Sequence, residues 1–392
     1  VKIAGATRPL LPLAAVTAGL ASGSAVAAEW TFSPSADLST QTQQNPRLTT
    51  EKDHKDDVSN GLGATAGIGL QRRTERTTLV VSPVFRAYRY SDDENLDRDE
   101  ENVNLSYDWF GEKVSWKTSA NAARDTTLTS ELGTTGLTQG NQRHESWGAS
   151  IGPTWALSER WQLQSSLQTY ANRYPDQQLG LSNYKYSTAL AGTTYVATEK
   201  FSLSLYGTAG KLDSEGNRSD TDDKSANIQL SYAWSPLTSF SASIGRSWVT
   251  SDAGRKTGLL YSVSASRSFE KSFLSLSASR RQSPSGSALL TQQEETRLSF
   301  GSQLTEQLSA TASASYSKRR NVLEIFSVDL QEVRYSRVDL GLAWRMAPNW
   351  RLGVNLGAAS QQVDSIFVGA SPTARAYEVR LGLSWNGDPY VW

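Results

Sequence analysis

The chain of 392 residues contains no cysteine, which excludes disulfides, thiolate metal sites and thiol nucleophiles. That absence fits an oxidising envelope compartment. Histidine is nearly missing too: only His54 and His144 occur, each in a segment read as an extracellular loop. A serine hydrolase needs a histidine placed to take the nucleophile's proton, and no H-x-x-x-H pair is present to bind a metal. Neither catalysis nor a metal or other cofactor is therefore expected. Beyond the first thirty positions no apolar run approaches the roughly twenty residues of a membrane-spanning helix, so a helical bundle in lipid is excluded. Charge of one sign is not in excess either. The 39 Lys and Arg balance the 39 Asp and Glu, which gives no general pull toward nucleic acid.

What is present is order in the polar sequence. Lys2 and Arg8 precede an apolar, alanine-rich run from about Leu10 to Ala21, and Ala25-Val26-Ala27 offers a small-x-small cleavage site. Residues 1–28 read as a cleaved export signal and 29–392 as one domain. From Trp30 onward the dominant period is two. Leu308, Ala310, Ala312, Ala314 and Tyr316 alternate with Ser309, Thr311, Ser313, Ser315 and Ser317, and Val379, Leu381, Leu383 and Trp385 alternate with Glu378, Arg380, Gly382 and Ser384. Successive side chains on a strand point to opposite faces, so each segment has one apolar and one polar face.

The connections alternate in length. Short ones include Leu157-Ser158-Glu159-Arg160, Thr198-Glu199-Lys200, Ser235-Pro236-Leu237, Thr305-Glu306-Gln307 and Ala347-Pro348-Asn349; long polar ones cover 51–57, 91–101, 127–142 and 213–224. Short turns at one end and long loops at the other match the periplasmic and extracellular ends of a bacterial barrel. Aromatic residues crowd beside the short turns: Trp109, Trp116, Trp155, Trp161, Phe201, Trp234, Phe240, Phe269, Phe273, Trp344, Trp350 and Trp385. Indole and phenyl rings at one height form a girdle at a membrane interface. The expected fold is all-β: a transmembrane antiparallel up-and-down β-barrel of about eighteen strands, from 29–42 to 374–386. Sixteen or twenty are the alternatives if one hairpin is misread. The expected location is the bacterial outer membrane, with outer-membrane lipid, lipopolysaccharide and the barrel-assembly machinery as partners.

Two stretches carry a family resemblance. Glu29-Trp30-Thr31-Phe32-Ser33-Pro34-Ser35-Ala36-Asp37-Leu38 resembles the opening strand of outer-membrane proteins associated with PEP-CTERM/exosortase systems. Ala87-Tyr88-Arg89-Tyr90-Ser91-Asp92-Asp93, running into Val103-Asn104-Leu105-Ser106-Tyr107, resembles their second extracellular hairpin. The resemblance implies a link to exopolysaccharide production and surface-protein sorting, and implies no catalytic residues. The ending departs from a common barrel pattern, because Asn386-Gly387-Asp388-Pro389 separates the terminal Trp392 from the last alternating strand.

If the apolar set meets lipid, the complementary set lines the lumen. Its charges include Arg86, Lys117, Arg297, Arg337, Arg345, Arg351 and Arg380, against Asp37, Asp108, Asp339 and Glu378. A modest cationic excess favours anions in a pore, with polysaccharide or small anions as the transported class. The alternative is that these charges pair across strands and merely fill a polar interior. The two functional readings are a porin-like channel, with a link to exopolysaccharide export or envelope biogenesis, and a non-conducting structural or receptor barrel plugged by the 127–142 loop. The acidic loops around Asp92-Asp93-Glu94 and Asp222-Asp223 lack the spacing of a dedicated calcium loop and read as solvated surface. Arg246 is anomalous. It shares parity with Phe240, Ala242 and Ile244, and on the lipid face it costs about 2–4 kcal/mol at the midplane, falling to about 0–1 near an interface. Either it lies near the outer rim or a bulge shifts the register.

Overall fold

The computed structural model describes residues 28–50, 56–131, 141–175, 181–215, 220–323, 332–364 and 373–392. The export signal and His54 lie outside the described residues, apart from Ala28. The first six strands are β1 (Glu29–Gln44), β2 (Val58–Arg73), β3 (Thr77–Tyr90), β4 (Arg98–Phe110), β5 (Val114–Thr126) and β6 (Arg143–Ala156). Then come β7 (Trp161–Arg173), β8 (Tyr184–Thr198), β9 (Phe201–Ser214), β10 (Thr221–Ser235), β11 (Thr238–Ser251) and β12 (Gly254–Ser268). The last six are β13 (Ser272–Pro284), β14 (Leu290–Gln303), β15 (Leu308–Asn321), β16 (Glu332–Ala347), β17 (Trp350–Asp364) and β18 (Thr373–Asn386). Each pairs antiparallel with its neighbours in sequence, and β1 pairs with β18, so the sheet closes on itself. The eighteen-stranded up-and-down barrel read from the alternation is the observed fold.

Closure leaves no free edge strand, the arrangement by which strands cross lipid. The β12–β13 ladder, however, runs only from Tyr261/Arg280 to Ser268/Phe273 and opens toward the outer end. The large apolar side chains are outside. Leu38, Leu62, Phe85, Ile151, Leu167, Leu205, Ile244, Val263, Leu276, Leu340, Leu356 and Leu381 are all exposed. On a soluble protein so much contiguous apolar surface would drive aggregation; on a barrel it meets hydrocarbon. No helix among the described residues is long and apolar enough to cross a membrane.

The seam has an extra piece. After β18 the chain detours through Asn386–Pro389 and resumes as β19 (Tyr390–Val391), paired with Thr31 and Phe32 of β1. Trp392 then exchanges backbone hydrogen bonds with Trp30 at 2.9 and 3.1 Å, and the two indoles stack at 6.2 Å between centroids. The interruption displaces the terminal aromatic along the seam without removing it from the wall.

A shared device shapes several short turns. The hydroxyl of Thr74, Ser158, Thr198 or Thr305 accepts hydrogen bonds from the backbone N–H groups two and three residues on, at 3.0–3.3 Å. Such a hydroxyl-stabilised turn lets the chain reverse with few residues. Three register shifts, at Val196/Thr198, Ala233/Ser235 and Arg345/Ala347, all fall beside short turns. Pairing of β11 is otherwise unbroken, with Arg246 opposite Ala226 and Leu259. No bulge turns it inward. Arg246 therefore faces outward, in the outer half of the strand, one outward step below Trp248.

Candidate functional site: a narrowed lumen

Parity now assigns the inner wall. With Leu38, Phe85, Leu340 and Leu381 outward, Asp37, Arg86, Arg337, Asp339, Glu378 and Arg380 face the lumen. By the same register Lys117, Arg297, Arg345 and Arg351 face inward. Most of these charges have partners. Arg86 lies 3.8 Å from Glu100, and Arg297 lies 2.8 Å from Glu295. Lys117 stands directly opposite Asp108 in register. Arg337 bonds Asp339 at 2.7 Å and reaches Glu378 at 3.4 Å, while Arg380 bonds Asp37 at 2.9 Å.

The Arg337–Glu378 contact spans an intervening strand. Asp339, Gly357 and Glu378 stand in one row across β16, β17 and β18. A Cβ at position 357 would lie 3.2 Å from both the Arg337 guanidinium and the Asp339 carboxylate, so the missing side chain leaves the guanidinium its path. Arg337, Asp339 and Glu378 thus form one linked group across β16–β18, and Arg380 with Asp37 forms a separate pair across the β18–β1 seam. Arg345 and Arg351 differ. They stand directly opposite each other near the periplasmic mouth, and Arg345 donates to the Glu306 carbonyl at 2.7 Å.

The lumen is not an open cylinder. After β5 the chain turns inward as a one-turn helix, α1 (Thr127–Ser130). Leu128 packs against Tyr88, Tyr90 and Leu96, and the Thr129 hydroxyl donates to Glu100 at 2.8 Å. The next residue past the helix, Glu131, is buried and accepts a hydrogen bond from the Tyr174 hydroxyl. Burial, and then the neighbouring Glu131 carboxylate, hold the Tyr174 phenol protonated well above its ordinary range. From the opposite wall, the β13–β14 connection leans in to meet this segment. A Cβ at Gly286 would fall 2.5 Å from the Glu131 carboxyl. The Gly286 carbonyl accepts from the Ser182 N–H at 2.9 Å, and the Ala288 carbonyl from the Ser214 hydroxyl at 3.2 Å. Around these contacts Tyr174, Leu181, Tyr184, Leu212, Val249, Ala288, Leu290 and Val322 form a buried apolar cluster. Of the expected 127–142 loop, 132–140 lie outside the described residues.

Beside this seal a cavity of about 260 Å³ remains, against the wall of β16–β18, β1 and β3. Its lining includes Gln41, Gln43, Tyr88, Arg98, Tyr335, Arg337, Glu378 and Arg380, with Leu96, Leu128 and Thr129 from the inward segments. Arg98, which the sequence did not single out, bonds Glu100 at 3.0 Å and lies 4.2 Å over the Tyr88 ring.

His144 sits in the wall of the sealed side. Its Nδ1 lies 2.6 Å from Asp125 and its Nε2 2.8 Å from Asn172, so both ring nitrogens are engaged and neither meets a serine. Among the described residues no cluster of His, Asp and Glu stands ready to hold a metal ion. The acidic loop residues are occupied locally: Asp93 pairs with Arg47 and accepts from Asn95, Asp97 accepts from Tyr90, and Asp92 from Ser91 and Asn60.

On the outside, Trp109, Trp116, Trp155, Trp161, Phe201, Trp234, Phe240, Trp344, Trp350 and Trp385 take the outward parity near the short turns. Phe273 takes the other. It lies opposite Gly301 and Ser268 on the lumen side, while its neighbour Leu274 faces out. A second set of exposed aromatics, Trp147, Trp248, Tyr316 and Tyr377, stands toward the outer end.

A closed barrel with an apolar outer wall and a polar, charged interior is an outer-membrane β-barrel protein. Its apolar wall meets outer-membrane lipid. No family model matches the chain, and no curated protein sequence does. Among solved structures it is similar to OpdQ of Pseudomonas aeruginosa, at 10% identity over 93% of this chain and 100% of that one, with a TM-score of 0.47. It is also similar to Pseudomonas aeruginosa OccK2 (OpdF) in complex with glucuronate, at 11% identity over 91% and 97%, TM-score 0.49. Acinetobacter baumannii OccAB2 is similar at 10% identity over 91% and 98%, TM-score 0.46. These similarities carry no residue roles over to this chain. They do correct the PEP-CTERM/exosortase resemblance, since the similar structures are porins of the Occ and OprD kind. The physical reason is that strand alternation gives unrelated barrels similar local sequence.

Proposed function

We propose that the barrel conducts small anionic solutes through the cavity beside α1, rather than an extended polysaccharide. The observation that carries this reading is the convergence of Arg98, Arg337 and Arg380 on a space of about 260 Å³. A guanidinium has five N–H donors, and the carboxylates paired with these arginines use only some of them. The remaining donors are available to a passing carboxylate or phosphate. In a narrow passage their field is less screened than in open water. Arg345 and Arg351, facing each other at the periplasmic mouth, extend the cationic path. Tyrosines and glutamines supply neutral hydrogen bonds that orient a solute without trapping it. In the same reading the aromatics beside the short turns seat the barrel at the inner-leaflet interface.

Planar-bilayer recordings under a salt gradient test this. The expected result is a reversal potential of the sign for anion preference, reduced when Arg98, Arg337 and Arg380 are replaced together by Ser. Cation preference in the unaltered protein would refute it, as would silence of a channel lacking the α1 segment.

A further inference from the structure

The unexplained cation is Arg246, and its surroundings give it a role. Lys224 of β10 stands directly opposite Trp248 of β11, and Arg255 of β12 stands opposite Thr250, one outward step above Trp248. Arg246 lies one outward step below the same indole. Three cations thus surround one exposed tryptophan on the lipid-facing wall, in the outer half of the barrel. Many other cations on the outer rim stand against carboxylates, although among the described residues Arg173, Lys185, Arg320 and Arg375 make no ion pair, and no three of these surround one indole as here. Arg89 bonds Asp99, Arg124 lies near Glu101 and Glu145, Arg280 bonds Glu294, and Arg334 bonds Glu332 and Asp364. Lys211, next to the patch, is held by Asp213 and Asp220. Among the described residues, Lys224, Arg246 and Arg255 make no such ion pair, although Asp222 lies one outward step above Lys224. The connection directly above β11 and β12 is only Asp252 and Ala253.

We propose that Lys224, Arg246 and Arg255 bind the phosphate of an outer-leaflet glycolipid headgroup, with Trp248 at the boundary between its sugar and its acyl chains. The position selects this occupant. An arginine below an indole on the lipid face cannot reach bulk water directly, but it can extend upward to the headgroup layer. Phosphate there accepts charge-assisted hydrogen bonds from guanidinium and ammonium groups. Indole rings favour the same depth. A protein partner would need a projecting surface, whereas this patch is flush with the membrane.

The test uses the purified full-length barrel in detergent and native mass spectrometry. The probes are bisphosphorylated lipid A, the same glycolipid stripped of both phosphates, and inorganic phosphate. The unaltered barrel should retain the phosphorylated glycolipid. The combined variant Lys224→Ser, Arg246→Ser, Arg255→Ser should lose at least about tenfold in retention, given the contribution of each basic residue near an anionic surface. Lys211→Ser, whose ammonium is already paired, should retain lipid normally. Heat-modifiable migration on gels confirms folding. Should the combined variant not fold, Arg246→Leu, which suits the apolar wall, should weaken retention about fivefold. Equal retention by the variants, equal retention of the dephosphorylated glycolipid, or displacement by inorganic phosphate at the lipid's own concentration would overturn the proposal.

Discussion

The two sides of the lumen are built from the same alternating strands, yet they do opposite things. On the side of β7–β15, Tyr174, Leu212 and Val249 point inward near the outer end, and the neighbouring connections fold onto them as a dry cluster. On the side of β16–β18, β1 and β3, the inward positions carry arginines, carboxylates, glutamines and tyrosines, and a cavity stays open. Apolar inward residues attract loops because burying them stabilises the fold. Paired charges do not, since covering them would cost desolvation. The choice of inward side chain therefore decides where the lumen is sealed and where a cavity stays open.

That contrast can be broken in several ways. The largest change is expected from replacing 127–141 by a short Gly-Ser linker, which removes the segment bridging both sides. Single-channel conductance should rise severalfold; an unchanged conductance would mean that the constriction lies elsewhere. Next, Arg337→Ser with Arg380→Ser leaves Asp37, Asp339 and Glu378 without their cations, so ion preference should shift toward cations, read from reversal potentials, with some loss of thermal stability. Leu212→Ala removes a side chain with no exposed surface and should destabilise the seal by about 2–5 kcal/mol. Its signature would be flickering current and faster proteolysis of the loops, with the barrel intact.

A smaller effect is expected from Tyr174→Phe, which leaves the Glu131 carboxylate short of a donor, at about 1–3 kcal/mol. Because folding raises the Tyr174 pKa, its contribution is complete below the ordinary phenol value near 10 and is lost as pH climbs beyond it. Unaltered channels should therefore become noisier above about pH 10, and the Tyr174→Phe channel should lack that step. Gly357→Ala is the mildest. The added methyl meets the flexible Arg337 side chain, so the cost should be about 1 kcal/mol or less, seen as a slight loss of anion preference.

The barrel itself was legible because a period of two survives in nearly every strand and the short turns repeat hydroxyl-bearing residues. The lumen was legible only in part. Arg337, Asp339, Glu378 and Arg380 could be assigned one face from parity, but their linkage across Gly357 depends on a register that no single strand encodes. Arg98 escaped notice because it begins β4 inside an acidic loop. Phe273 was misleading because it stands beside Leu274, and two adjacent apolar residues leave parity undecided. Nothing in Thr127-Leu128-Thr129-Ser130 signals an inward helix, since its conformation is set by contacts with Tyr88, Leu96 and Glu100 from distant strands. The family resemblance failed for the opposite reason: alternation is so general among barrels that it does not discriminate between them.

The absence of cysteine makes a direct test available. Arg380→Cys and Val249→Cys, each the sole thiol in its channel, would be exposed to a negatively charged methanethiosulfonate reagent during single-channel recording. Solute passage along the charged side predicts a rapid, lasting drop in anion current for Arg380→Cys and no reaction for Val249→Cys. Modification of Val249→Cys with current block, while Arg380→Cys stayed silent, would contradict it.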